Sequence, residues 1–325
     1  MKVLLAKPRG FCAGVDRAVD IVELALVTYG KPVYMRHEIV HNPFVVRQLE
    51  AKGAIFVEAT TDIPEGSVAI FSAHGVSPAV WDEARTRNLR IIDATCPLVK
   101  KVHFEAKRFG EKGGTIVLIG HKGHVEVEGT SGEAPGHTVL IETADEAEKL
   151  GLADPANTII LTQTTLSVDD TSEIIHVLKR RFPAIQLPPK EDICYATTNR
   201  QLAVKELSKQ CEVIIAVGAP QSSNTNRLKE VAEREGCRAY LIQQADELRP
   251  EWFEGVQTVG VTAGASAPES IVQEVIAWLM EHGATSAQEV EVIQETMKFT
   301  LPPELLEQAK KNGKSVLVEK HTIVR

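Results

Sequence analysis

Three of the five cysteines occupy the same kind of position, between an apolar run and a segment with helical periodicity. They are Cys12 in GFCAGVDRAV, Cys96 in DATCPLVKKV and Cys194 in DICYATTNRQ. The free N–H groups and the dipole at a helix start lower the pKa of a thiol and favour the thiolate that binds iron. Three such thiolates could hold one iron–sulfur cluster, although an ordinary buried thiol is the simpler explanation of any one of them taken alone.

The other two cysteines fit a packing role. Cys211 and Cys237 each follow a helix end and directly precede an apolar strand, so we expect both to be buried thiols. The apolar stretch before Lys7 and Pro8 is too short for a signal peptide, and no later apolar run is long enough to span a bilayer. We therefore expect a cytoplasmic protein with no membrane partner, in which the cysteines stay reduced.

Small polar turns between a strand and a helix form a second group of candidates. They are TQTTLSVDD at 162–170, GAPQSSNTNR at 218–227 and TAGASAPES at 262–270, and His41 and His74 stand before two further helix starts. Ser, Thr and Asn cap helices, which is the simpler explanation of each turn alone. Five turns of this kind favour a phosphorylated ligand, because N–H groups and hydroxyls at helix starts bind phosphate.

A third candidate is the segment GHKGHVEVEGT at 120–130. If it is extended, His124, Glu126 and Glu128 share one face of a strand and the two valines point the other way. A solvated strand edge would show the same pattern. A His and a Glu on one face also suit proton delivery, because the pKa values of both can be tuned towards neutrality.

One motif is a false lead. HEIVH at 37–41 matches the pattern of zinc proteases, in which both histidines lie on one face of a helix. The sequence PVYMRHEIV indicates a strand instead, and Asn42 with Pro43 marks a helix start only after the second histidine. Zinc-protease chemistry is therefore not expected. The Gly-rich motifs of dinucleotide and Walker-type sites are absent from the sequence as well.

The elements that must position these residues alternate along the chain. Ten apolar, β-branched runs are predicted strands, namely KVLLA, PVYMR, AIFVE, VAIFSA, RIIDA, TIVLIG, TIILTQ, EVIIAVG, RAYLIQ and TVGVTAG. Continuous apolar runs are typical of parallel sheets covered on both faces. Helices between the runs are marked by prolines at their starts and glycines at their ends, at Pro43, Pro78, Pro97, Gly30, Gly53 and Gly236. The repeated order of strand, turn and helix predicts an α/β protein.

The cysteine-bearing segments also form a weak repeat along the chain. We therefore predict three similar α/β units with mostly parallel sheets, each offering one cysteine to a common iron–sulfur site at the centre. From about residue 284 onward the sequence is a polar tail with one possible helix, and its pattern indicates no role. The formal net charge of −8 opposes a nucleic-acid partner, which requires clustered basic surface.

Nine motifs follow one another in order between residue 1 and about residue 282. They are PRGFCAGVDRA, VHN, FSAHGVS, DATCPLV, GHKGHVEVEGT, TQTTLSVDDT, EDICYATTNRQ, SSNTNRL and VTAGASAP. Together they resemble the 4-hydroxy-3-methylbut-2-enyl diphosphate reductase (LytB) family, which catalyses the last step of the methylerythritol phosphate route to isoprenoids. Glu191 departs from the motif of the family, which has a different acid there.

The resemblance implies a reaction and a domain organisation. The family reduces its allylic diphosphate to isopentenyl and dimethylallyl diphosphate by two-electron removal of the hydroxyl group. Its fold is similar to the threefold arrangement predicted above, with the first strand closing the ring. This implies α/β units at 14–96, 97–193 and 194–283 with 1–13, followed by a C-terminal tail at 284–325.

The resemblance also implies the roles of individual residues. Cys12, Cys96 and Cys194 match three ligands of one four-iron four-sulfur (4Fe–4S) cluster, whose fourth iron is open to the substrate hydroxyl. The catalytic residues are Glu126, His124 and Thr164. The residues that bind the substrate are His41, His74, His124, Thr164, Ser222, Ser223, Asn224 and Ser266.

No flavin or nicotinamide motif is present, so the electrons must come from a separate carrier, ferredoxin or flavodoxin, and we expect a monomer. Two alternatives stay open. One is a phosphate-ester hydrolase that uses the histidines and Glu126, with the cysteines on structural zinc. The other is a non-enzymatic iron–sulfur sensor that binds an isoprenoid diphosphate.

Overall fold

The computed structural model describes residues 1–314, and the β-strands of this part of the chain form three sheets. The strands are β1 Lys2–Lys7, β2 Val33–Arg36, β3 Ala54–Val57, β4 Val68–Phe71, β5 Arg90–Asp93, β6 Thr115–Ile119, β7 Thr138–Ile141, β8 Thr158–Thr162, β9 Val213–Val217, β10 Arg238–Ile242, β11 Thr258–Ala263 and β12 Ser286–Glu291. Their orders are β3-β2-β4-β5, β7-β6-β8 and β10-β9-β11-β1-β12. All neighbouring strands run parallel, which confirms the prediction of an α/β protein with three parallel sheets.

Helices connect the parallel strands. They are α1 Ala13–Tyr29, α2 Pro43–Lys52, α3 Pro78–Thr86, α4 Pro97–Gly110, α5 Val125–Glu133, α6 Ala144–Lys149, α7 Val168–Arg181, α8 Tyr195–Ser208, α9 Ser223–Arg234, α10 Glu269–Glu281 and α11 Pro303–Lys311. Three of them begin at the prolines that the sequence marks as helix starts, where the missing N–H and the fixed φ of proline are tolerated. None of the helices within residues 1–314 is long and apolar enough to cross a membrane.

Complete burial of the central strands explains their continuous apolar sequences. Every residue of β8 and β9 is buried, as expected for strands covered on both faces. The N-terminal strand β1 lies in the third sheet, between β11 and β12, with Val3 opposite Val259. The exact limits of the three units, at residues 13, 96, 193 and 283, stay predictions.

The C-terminal segment differs from the expected polar tail. β12 continues the third sheet beyond β1, with Lys2 opposite Ser286 and Lys7 opposite Glu291, and α11 packs against α1. β12 was not predicted because it is an edge strand with a polar, mostly exposed sequence. It pairs with β1 through backbone hydrogen bonds, which leave no apolar pattern in the sequence. The part of the tail at 315–325 lies outside the described residues.

Two local predictions were wrong. The strand expected over PVYMRHEIV ends at Arg36, because His37 takes a left-handed backbone conformation with φ of 61°. The segment expected to be extended after Gly123 is instead the helix α5, which starts directly after His124. Four alternating residues, Val-Glu-Val-Glu, are too few to separate a strand from a helix by periodicity.

Candidate active site

One cavity lies at the meeting point of the three sheets. Its walls include the turns that follow β1, β2, β4, β5, β6, β8, β9 and β11, at the carboxyl ends of the strands, where α/β folds bind ligands. The start of α8, with Cys194, completes them and follows a loop after α7 instead of a strand. All the predicted site residues line it, namely Cys12, His41, His74, Cys96, His124, Glu126, Thr164, Cys194, Ser222, Ser223, Asn224 and Ser266. The structure therefore brings together residues that are far apart in sequence.

The three cysteines of the cavity share one local geometry. Cys12, Cys96 and Cys194 are the N-cap residues of α1, α4 and α8, so each thiol stands at a helix start, as predicted. The hydroxyl Oγ1 of Thr197 lies 3.3 Å from the sulfur of Cys194. Each helix belongs to a different part of the chain, and the packing of the three sheets brings their starts to one place.

Burial raises the pKa of all three thiols, to about 12 for Cys96 and about 11 for Cys194. Backbone N–H groups at the helix starts lower the pKa, but the loss of hydration is the larger effect. The helix starts therefore act in the predicted direction, but the prediction of a lowered thiol pKa is wrong for the thiols by themselves. A metal cation changes this balance, since a coordinating thiol is deprotonated.

The space beside the thiols fits an inorganic group. A Cβ atom added at Gly14 would lie 2.9 Å from the sulfur of Cys96 and 3.7 Å from the sulfur of Cys12, so any larger residue would fill the gap between them. No three His, Cys, Asp or Glu side chains within residues 1–314 are arranged to hold a single metal ion. Three thiols that face one space suit a cluster, in which each thiolate binds a different iron.

Three imidazoles form a second group in the cavity. The rings of His41 and His74 stack with centroids 4.1 Å apart, and His124 meets them edge-on at 5.4 and 5.9 Å. Burial, together with the neighbouring histidines, holds the pKa of His74 well below 6.5 and lowers that of His124 to about 4. Nδ1 of His124 accepts a hydrogen bond from the N–H of Glu126 at 3.2 Å. The neutral ring of His124 therefore carries its proton on Nε2.

Glu126 brings a carboxyl group to the cavity wall and is almost completely buried, with 1% of its surface exposed. Its carboxyl group accepts hydrogen bonds from the N–H of Thr164 at 2.6 Å and from the hydroxyl of Thr164 at 3.0 Å. Burial raises the pKa of Glu126 to about 7, although the two hydrogen bonds act in the opposite direction. A carboxyl group in this setting exchanges protons near neutral pH.

Hydroxyl and amide groups complete the rim. The side chain of Ser222 caps α9, and Asn224 accepts a hydrogen bond from the N–H of Ala265 at 2.8 Å. The hydroxyl of Ser266 donates to the backbone oxygen of His41 at 3.2 Å. The last contact joins the first and third sheets at the cavity, so these residues combine a structural role with a place on the cavity wall.

Gly14 and Thr197 are among the cavity residues that were not predicted, and both lie beside the thiols. Both belong to quoted motifs, CAGVDRA and CYATTNRQ, and each follows a cysteine by two or three positions. Only the fold shows that they face the thiols. Both residues lie in the first turn of the helix that the cysteine caps. This position relative to the cysteine is the signal that could have identified them.

The residues assigned to other roles lie elsewhere. Cys211 and Cys237 are buried in the core of the third unit, where the thiol of Cys237 donates to the backbone oxygen of Cys211 at 3.0 Å. His37 contacts Glu58 outside the cavity, so the two histidines of HEIVH are separated. Glu128 is exposed on α5 and does not share a face with Glu126.

Comparisons with known proteins agree with this site. The model of the family described as LytB protein matches residues 3–280. A 4-hydroxy-3-methylbut-2-enyl diphosphate reductase of Acidothermus cellulolyticus is 55% identical over 313 residues, which cover 96% of this chain and 92% of the relative. One of Neisseria meningitidis serogroup C is 55% identical over 304 residues, with coverage of 93% and 94%.

Solved structures extend the similarity to the fold. The structure of the E-1-hydroxy-2-methyl-but-2-enyl-4-diphosphate reductase from Plasmodium falciparum superposes with a TM-score of 0.93 at 38% identity, and covers 96% of this chain and 99% of that one. A second structure, of (E)-4-hydroxy-3-methyl-but-2-enyl diphosphate reductase, has a TM-score of 0.61 at 35% identity and covers 86% of this chain. Both the sequence and the fold of this chain are thus similar to proteins of one kind.

Proposed function

The chain belongs to the LytB protein family, and we propose that it is the oxidoreductase that converts 4-hydroxy-3-methylbut-2-enyl diphosphate to isopentenyl and dimethylallyl diphosphate. This is the last step of the methylerythritol phosphate route. The allylic C–O bond breaks, two electrons and two protons are taken up, and water leaves. One observation carries the proposal: three thiols, three imidazoles and a protonatable carboxyl group face one cavity.

In this proposal Cys12, Cys96 and Cys194 hold one 4Fe–4S cluster and leave one iron without a protein ligand. When bound, such a cluster supplies electrons and a Lewis-acidic iron for the substrate hydroxyl. The gap beside Gly14 and the helix-start positions of the three thiols support this assignment.

The diphosphate is bound by His41, His74 and His124 together with the rim residues Ser222, Ser223, Asn224 and Ser266. His74 and His124 offer N–H hydrogen-bond donors that are uncharged before substrate binds, because burial keeps both rings neutral at pH 7. A bound anion favours their charged forms and raises their pKa values. Substrate binding thus draws protons into the cavity, next to the reaction that consumes them.

Glu126 delivers the proton that turns the departing hydroxide into water. Hydroxide is a poor leaving group, so an acid close to the hydroxyl lowers the barrier. With a pKa of about 7, Glu126 is partly protonated at neutral pH. Thr164 fixes both oxygens of this carboxyl group and takes part in the contact with the hydroxyl.

We further propose that a ferredoxin or a flavodoxin supplies the two electrons, one at a time, to a monomeric protein in the cytoplasm. The chain itself has no flavin or nicotinamide motif. A separate electron carrier must therefore bring the electrons to the cluster.

An anaerobic assay tests the proposed function. The purified protein should be brown and should reduce the allylic diphosphate when a reduced viologen dye supplies electrons. Cys12→Ser should lose the visible absorption and the activity, whereas the matched variant Cys237→Ser should keep both. A colourless protein with bound zinc would support the hydrolase alternative, and a brown protein that binds the diphosphate without turnover would support the sensor alternative.

A further inference from the structure

A basic side chain follows each of the three cavity cysteines at nearly the same distance in sequence. Arg17 comes five residues after Cys12, Lys101 five residues after Cys96, and Arg200 six residues after Cys194. Each lies on the helix that its cysteine starts. Each also lies on or near the buried side of its helix, although long cationic side chains normally extend into solvent.

Arg200 has no exposed surface and holds the turn that leads to Cys12. Its guanidinium group donates to the backbone oxygen of Gly10 at 2.7 and 3.1 Å and to that of Phe11 at 3.3 Å. It also donates to the carboxylate of Glu295 at 2.9 Å. The helix that begins at one cysteine is therefore bonded to the two residues that precede another.

Arg17 repeats this arrangement one step further round the cavity. It is 6% exposed, and its guanidinium group donates to the backbone oxygens of Ala94 at 3.1 Å and Thr95 at 3.2 Å. These are the two residues before Cys96. The same group donates to the backbone oxygen of Thr300 at 2.8 Å.

Lys101 completes the circle. Its ammonium group contacts the backbone oxygen of Lys190 and donates to the backbone oxygen of Glu191 at 3.0 Å and to the carboxylate of Asp192 at 2.8 Å. Asp192, two residues before Cys194, has a fully buried side chain that also accepts from the N–H of Thr162 at 3.0 Å. The helix of Cys96 is thus bonded to the turn that leads to Cys194.

We propose that Arg17, Lys101 and Arg200, here called the clamp residues, position the three thiols as one cooperative unit. Each cysteine helix holds the turn of the next cysteine, so the links run from Cys194 to Cys12, from Cys12 to Cys96 and from Cys96 back to Cys194. Loosening one link releases one thiol from the geometry that the other two share. The clamp residues are positioning residues and have no contact with substrate in this assignment.

The C-terminal segment supports two of the three links. It leaves the third sheet after β12, supplies Glu295 to Arg200 and Thr300 to Arg17, and ends with α11 on the core of the first unit, where Leu305 is 1% exposed. A segment with an exposed, polar sequence is held here by two buried cations. Lys101, with 26% of its side chain exposed, is the link that this segment does not cover.

The inference rests on the proposed cluster site, and the experiment separates the two. Lys101→Met, Arg17→Lys and the double variant are purified anaerobically with wild type and with Lys107→Met, an exposed position on the same helix. The loss of visible absorption is followed after addition of an iron chelator. Visible circular dichroism records the cluster geometry, and thermal unfolding of the cluster-free proteins records stability.

We expect both single variants to lose the cluster about ten- to a hundredfold faster than wild type, the factor that corresponds to one charged hydrogen bond. Their circular dichroism should be altered, and the double variant should be less than additive, because residues of one unit are coupled. The control should behave like wild type. Variants that match the control, or whose faster loss only follows their unfolding temperatures, would refute the clamp. A wild-type protein without a cluster would refute the proposed function instead.

Discussion

Replacing Glu126 with Gln should separate proton delivery from every other property of the site. Gln has the shape of a protonated Glu, and its oxygen can still accept from the N–H of Thr164, but it cannot release a proton at a useful pH. Substrate binding and the cluster should survive. Turnover should fall by ~10²–10⁴-fold, the usual effect of a lost general acid. Wild-type turnover should itself decline above about pH 7 as Glu126 ionises.

The same substitution has a consequence for stability that needs no catalysis. The pKa of Glu126 rises from 4.5 in the unfolded chain to about 7 in the folded protein. The folded state therefore holds a proton that the unfolded state has lost between these pH values, so the unfolding free energy of wild type decreases as pH rises through this range. At 1.36 kcal/mol per unit, the decrease amounts to about 3 kcal/mol. Glu126→Gln has no such decrease, so its unfolding free energy should rise relative to that of wild type as the pH increases.

Chemical denaturation of cluster-free protein between pH 4.5 and 8 measures this difference, and steady-state kinetics with a reduced dye measures turnover. Glu128→Gln is the matched control, because this residue is exposed on the same helix. If Glu126→Gln keeps near wild-type turnover, protons must reach the hydroxide through His124, Thr164 or the diphosphate. If the stability difference does not change with pH, the carboxyl group ionises normally and the argument from burial is wrong.

Three further predictions concern the remaining walls of the cavity. His74→Ala should raise the Michaelis constant about ten- to a hundredfold at nearly unchanged kcat, because one charged hydrogen bond to the diphosphate is lost equally from bound substrate and transition state; unchanged affinity would make it a structural residue. His124→Asn keeps a helix cap but removes a group whose pKa is lowered to about 4 in the folded protein. The unfolding free energy of wild type should fall as the pH falls from 6.5 to 4, and urea titrations should show a smaller fall in this variant. Thr197→Val removes the hydroxyl that accepts from the Asn224 amide at 3.2 Å, so substrate binding should weaken while the visible absorption of the cluster is retained. Loss of that absorption would show instead that the contact of Thr197 with Cys194 is the more important one.

The sequence predicts the fold where apolar runs are long and fails where they are short or polar. All ten predicted runs contain strands, and the two strands that were not predicted are β7 and β12. β7 is partly exposed, and β12 pairs with β1 through its backbone. The sequence of β12 has no continuous apolar run, whereas β7 has only the short run at 139–141. Strand and helix patterns are equally compatible with the four residues after His124, and only the capping contact between His124 and Glu126 decides in favour of the helix.

The candidate site was largely predictable as a set of residues, yet its electrostatics were not. Motifs identify each residue separately, and the turns and helix starts that carry them meet in one cavity. The pKa shifts depend on how closely the three sheets enclose that cavity, which no local pattern contains. The thiol of Cys96 illustrates this, because its helix start favours the thiolate and its burial opposes it more strongly.

The clamp residues explain why the cysteine segments resemble each other beyond the cysteine itself. A thiol at a helix start is placed by two things, the helix behind it and the turn before it. In each of the three segments the helix carries a cation about one and a half turns along, and that cation holds the turn of the next segment. Such an arrangement works only if it closes, because an open chain would leave one turn unheld. A basic residue five or six positions after the cysteine is therefore part of the repeat, and Arg17, Lys101 and Arg200 belong to the site as much as the thiols that they hold in place.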